Sequence, residues 1–86
     1  MELENRILRL IAVGASITAN CQPCLQINVA RAVEAGATQQ EIAEAITVGK
    51  MVRKGAASKM DNFAAGLESI AEHHAGALDP ACGCDS

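Results

Sequence analysis

Apolar residues recur at steps of three and four along most of this chain, and they do not alternate as a strand requires. Leu3, Ile7, Leu10, Ile11 and Ile17 share one side of a 3.6-residue helix, with Glu4, Arg6 and Arg9 on the others. The spacing predicts a first helix from about Glu2 to Thr18, with Gly14 and Ala15 letting a neighbour pack close at mid-length. Leu25, Val29, Ala32 and Val33 form the stripe of a second helix, starting around Cys21 to Pro23 and stopping at Gly36. Proline suits a first helical turn, where its missing N–H would have no partner. Glycine suits the left-handed residue that ends a helix. Thr38 and Glu41 match a capping box, which ties down two free N–H groups at the start of a third helix. Ile42, Ala45, Ile46 and Val52 form its apolar face, with Gly49 among them. Gly55 is a candidate kink or break, after which Ala56, Met60, Phe63, Leu67 and Ile70 carry helical spacing to about His73, either as a fourth helix or as the far half of one bent rod. The fold class is all-α, a bundle of about four helices.

From residue 75 the periodicity ends. Gly76, Asp79-Pro80 and Gly83 interrupt regular structure, so residues 75–86 read as a flexible tail after a helical domain of residues 1–74. That tail nevertheless carries Cys82-Gly83-Cys84.

Composition adds a constraint on assembly. Half of the 86 residues are apolar, yet Phe63 is the single aromatic, so the core rests on Ala, Val, Leu, Ile and Met. At roughly 25 cal/mol per Å² such side chains leave a lone small domain marginal, and a homo-oligomer is expected. The formal charge of −3 gives no basis for nucleic-acid binding. Lys50, Arg53, Lys54 and Lys59 form a local basic cluster that reads as a solvated helix face. No apolar run approaches the ~18 residues of a membrane span. Leu10 to Ala19 is apolar enough for a signal-peptide core, but Glu2 and Glu4 stand where positive charge is needed, so a cytoplasmic location is expected.

In a reducing compartment, paired cysteines are more often catalytic or metal-binding than structural staples. Cys21-Gln22-Pro23-Cys24 sets two thiols at a helix start, where free N–H groups and peptide dipoles favour thiolates. Cys21, nearer the end, is expected to be the more exposed, and Cys24, one turn in, the more shielded. Oxidation of one to a sulfenic acid would let the other resolve it as a disulfide. Thiol redox chemistry is the leading reading. A zinc or iron site made by Cys21 and Cys24 with Cys82 and Cys84 is the chemical alternative, and inert packing is the structural one. The tail pair could instead relay electrons to a Cys21–Cys24 disulfide, or do nothing.

The run Ala19-Asn20-Cys21-Gln22-Pro23-Cys24-Leu25, then Glu34-Ala35-Gly36-Ala37-Thr38, Glu41 to Ile46, and Gly49 to Ala57, resembles the AhpD-like, carboxymuconolactone decarboxylase superfamily. The resemblance covers a little over half the chain. It implies an all-helical, homo-oligomeric protein. In members that keep both cysteines it also implies peroxiredoxin-type or thiol–disulfide activity, without an organic cofactor. Members lacking the pair include decarboxylases. By that resemblance Cys24 is the peroxide-reactive thiol, and Cys21 the proton donor and resolving partner. The family's peroxidase pattern puts histidine four residues after the second cysteine, where this chain has Asn28. It puts glutamate about twelve residues before the first, where this chain has Arg9. An asparagine amide hydrogen-bonds but does not accept a proton near neutral pH. Arg9 could stabilise a thiolate but could not relay protons. Losing such a relay weakens peroxide chemistry more than thiol–disulfide exchange. His73 and His74 lie about 100° apart on a helix and read as an exposed helix end. The substrate is expected to be a peroxide or a disulfide, with a thiol as electron donor.

Overall fold

A computed structural model describes residues 1–73, and among them all regular structure is helical. Helix α1 is Asn5–Thr18, α2 is Gln22–Glu34 and α3 is Gln39–His73. None of these is long and apolar enough to cross a membrane. Helix α1 starts three residues later than its apolar period suggests. Glu4 takes the capping position with no side-chain bond to hold an earlier turn.

The first two helices end in the same way. Asn20 adopts a left-handed φ of 55°, and the N–H of Cys21 reaches back to Ser16 O at 3.0 Å while that of Asn20 reaches Ile17 O at 3.1 Å. Gly36 repeats this at the end of α2 with φ 93°, Ala37 N–H bonding Ala32 O at 2.9 Å and Gly36 N–H bonding Val33 O at 3.0 Å. Both are left-handed closures that satisfy carbonyls a helix end leaves free. Asparagine tolerates this conformation better than most residues that carry a Cβ.

Helix α3 opens with the expected capping box. Thr38 N–H donates to Glu41 Oε1 at 2.9 Å, and Glu41 N–H donates to Thr38 Oγ1 at 3.0 Å. The Thr38 N–H, and then the facing Arg6 guanidinium, hold the Glu41 carboxyl below its ordinary range. Of the two arrangements open at Gly55, the structure has the single rod: the third and fourth helical stretches are one helix, unbroken at the glycine. An isolated glycine costs about 1 kcal/mol in a helix interior, and Arg53, Lys54, Ala56 and Ala57 around it are good helix formers.

Over Met1–Ala56 the chain forms one compact unit. Its centre is Val13, Ala32 and Ile42, with Leu10, Leu25, Val29, Ala37, Ala45 and Ile46 packed around it. Helices α1 and α3 cross where neither has bulk. A Cβ added to Gly49 would stand 2.4 Å from Gly14 O and 2.8 Å from Ile17 Cβ. At the same crossing Thr18 Oγ1 donates to both Gly14 O and Gly49 O, each at 3.1 Å. From Ala57 onward, the described chain is the later part of α3. Met60, Phe63, Leu67 and Ile70 there are more than half exposed, so the stripe that predicts the helix is not buried within the described chain.

Candidate functional site

The turn between α1 and α2 carries the two cysteines, and one of them belongs to both helices. Through its N–H, Cys21 completes the closure of α1 on Ser16 O. Through its side chain it caps α2, with Sγ accepting the N–H of Cys24 at 3.3 Å. Pro23 occupies the first turn of α2, where it gives up no helical bond. These constraints bring the Cα atoms of Cys21 and Cys24 to 5.2 Å, and their sulfurs are joined as a disulfide. The first turn of α2 has no acidic residue. The partial positive charge of the helix start therefore acts on the Cys21 sulfur unopposed by a local carboxylate.

Exposure runs opposite to expectation. Cys24 is exposed and Cys21 half-buried. The closure of α1 folds Cys21 against the Ser16 turn, whereas Cys24 faces outward from the first turn of α2.

Asn28 lies one turn after Cys24 and bonds into this turn. Its Nδ2 donates to Cys24 O at 2.9 Å and to Ser16 Oγ at 3.3 Å. Ser16 is buried and donates its own proton to Ala12 O at 2.7 Å. It therefore accepts from Asn28, and the pair ties the cysteine turn to α1. Sequence reasoning passed over Ser16, although a serine within the apolar stretch Leu10 to Ala19, one turn before Asn20, is a signal that was available.

A second overlooked residue is Arg53. It is half-buried rather than part of a solvated face, and its Nη1 donates to Asn20 Oδ1 at 3.0 Å and to Ile17 O at 3.4 Å. A small pocket of about 170 Å³ lies beside the disulfide, lined by Ser16, Ile17, Asn20, Cys21, Gln22, Leu25 and Arg53. Arg9 is not among them. It lines a separate groove with Asn5, Ile27, Ala30, Arg31 and Glu34.

Among the described residues, no group of three or more Cys, His, Asp or Glu side chains is placed to hold a metal ion. Cys82 and Cys84, the other half of the four-thiolate alternative and of the relay, lie outside the described residues, as does His74.

An all-helical chain with a cysteine-capped second helix and a box-capped third defines the class. A sequence profile of the carboxymuconolactone decarboxylase family matches residues 2–68. The chain belongs to that family, as the resemblance in its cysteine and capping motifs implied. No curated protein and no solved structure matches it.

Proposed function

We propose that this chain is a thiol–disulfide redox protein, with Cys21 and Cys24 as its reacting pair and a homo-oligomer as its working form. The observation that carries the proposal is the double role of Cys21. Its sulfur sits on the free N–H of Cys24 at a helix start, and Cys24 beside it is exposed. A partner's thiolate meets the Cys24 sulfur first. Its attack forms a bond to Cys24, breaks the Cys21–Cys24 bond and releases Cys21 as a thiolate, which keeps the Cys24 N–H as donor. A lower leaving-group pKa speeds such a step. The partner's second thiol then attacks its own sulfur in the mixed disulfide and releases Cys24. Two electrons have passed to the pair, and the reverse sequence passes them on.

Exchange is favoured over peroxide reduction by what surrounds the pair. Asn28 and Arg53 supply N–H donors, and among the described residues lining the pocket there is no carboxylate or imidazole to accept a proton. Assembly is supported by the bare apolar residues of α3, Val48, Met51 and Val52 in the compact unit and Met60, Phe63, Leu67 and Ile70 beyond it. Exposed apolar surface on this scale is typical of a covered interface.

The test is reduction of a model disulfide protein, and separately of hydrogen peroxide, with dithiothreitol as the electron source. The intact chain should accelerate disulfide reduction strongly and peroxide consumption weakly, and Cys24→Ser should abolish both. Acceleration that survives Cys24→Ser would exclude this pair as the site.

A further inference from the structure

The two cysteines of the disulfide differ in their surroundings. Cys24 is exposed, whereas Cys21 is half-buried and is one of the residues lining the pocket of about 170 Å³, which Cys24 does not line. That volume takes a molecule of a few heavy atoms and excludes a protein. Its one charged wall is Arg53, held in place by Asn20 and by the last turn of α1. Both bonds come from Nη1. A guanidinium has five donors in a planar fork shaped to a carboxylate, so it retains capacity for an anion. The rest of the lining is neutral: the Ser16 hydroxyl, the Asn20 and Gln22 amides, and the side chains of Ile17 and Leu25.

We propose that this pocket is an entry site for a low-molecular-weight thiol bearing a carboxylate, which Arg53 binds while the thiol reacts at Cys21. The inference rests on the redox reading above and adds a substrate class and a second entrance to it. The bound thiolate attacks Cys21 Sγ, forming a mixed disulfide. The Cys21–Cys24 bond breaks, and Cys24 leaves as a thiolate into solvent, where it takes a proton from water. A second small thiolate attacks the small-molecule sulfur of that mixed disulfide and releases Cys21. Two thiols become one small disulfide, and the protein pair gains two electrons. Small anionic thiols thus enter at Cys21, while protein partners meet Cys24.

The experiment uses the oxidised full chain and three small probes, 3-mercaptopropionate, 2-mercaptoethanol and cysteamine. Reduction is quenched with acid, and the thiols are alkylated and assigned by peptide mass. Rates are taken per thiolate and divided by those for a neutral model disulfide, which removes differences in intrinsic nucleophilicity. Corrected in this way, 3-mercaptopropionate should outpace cysteamine roughly five- to tenfold, as expected for probe charges of opposite sign several ångströms from Arg53 in a water-like dielectric. The advantage should collapse in 1 M salt, where the screening length is about 3 Å. The trapped mixed disulfide should sit on Cys21. Arg53→Gln should bring the ratio near one. Gln22→Glu, at an exposed position on the pocket wall, should lower it without touching Arg53, and it decides the matter if Arg53→Gln does not fold. A ratio near one in the unaltered chain, a ratio unmoved by these substitutions, or adducts on Cys24 alone would overturn the proposal. Dithiothreitol, which is neutral, separates the two levels. If it reduces the pair reversibly while the charged probes show no preference, only the pocket assignment falls. If it does not, the redox reading falls too.

Discussion

The Asn28 side-chain amide crosses from α2 to the Ser16 hydroxyl on α1 at 3.3 Å while donating to the carbonyl of Cys24 at 2.9 Å. One amide therefore holds the cysteine turn against the helix before it. Ser16→Ala removes the buried acceptor and should destabilise the chain by about 1 kcal/mol in urea unfolding, the usual net worth of a neutral hydrogen bond. It should also raise hydrogen exchange at the Cys24 amide. Unchanged exchange would mean that the bridge does not hold the turn.

Asn28→His places a titratable ring where the amide now sits, one helical turn from Cys24. A positioned base is typically worth 10²–10⁴-fold. Peroxide turnover should rise by at least tenfold, with a pH profile inflecting near the ordinary histidine range. Thiol–disulfide exchange should change little. Peroxide turnover that stays flat would show that the missing base is not what limits this site.

Two glycines of α3 should respond in opposite senses. Gly49→Ala forces a methyl group into the backbone of α1 and should cost roughly 1–3 kcal/mol. A methyl group on Gly55 would meet nothing within 4 Å, and the residue sits in a continuous helix, so Gly55→Ala should stabilise by up to about 1 kcal/mol. Urea midpoints of the two variants check both signs.

The capping box predicts a pH dependence. Thr38 N–H and then Arg6 hold the folded Glu41 carboxyl below its ordinary range, so its contribution is fully present above the unfolded value near 4.3. It is lost as pH falls through the lower folded value, because the unfolded chain binds the proton more readily. The stability difference between the intact chain and Glu41→Gln should therefore be constant above about pH 6 and shrink on acidification. A difference that grows toward low pH would contradict the assignment.

Local chemistry made much of this structure legible in the sequence. Pro23 and Cys21 mark the start of α2, Gly36 its end, and Thr38 with Glu41 the start of α3, because each meets a need of nearby backbone. What was hidden depends on residues far apart in the chain. Arg53 looks like one charge in a basic run until Asn20, 33 positions earlier, takes its guanidinium. Cys21 looks exposed until its own N–H is seen closing α1 on Ser16. Gly55 looks like a break because its cost is local, whereas the neighbours that offset it act together along the helix. The apolar stripe of Met60, Phe63, Leu67 and Ile70 gives the helix but does not say what covers it.

The central claim, a reversible two-electron pair at Cys21 and Cys24, is tested most directly by equilibrating the chain in glutathione buffers from both the oxidised and the reduced side. Peptide mass after alkylation reports this pair separately from Cys82 and Cys84. The account predicts one curve reached from either direction, with the protein's oxidised-to-reduced ratio changing tenfold for about 30 mV of poise. A pair that stays reduced in oxidised glutathione, or stays bonded in excess dithiothreitol, would contradict it.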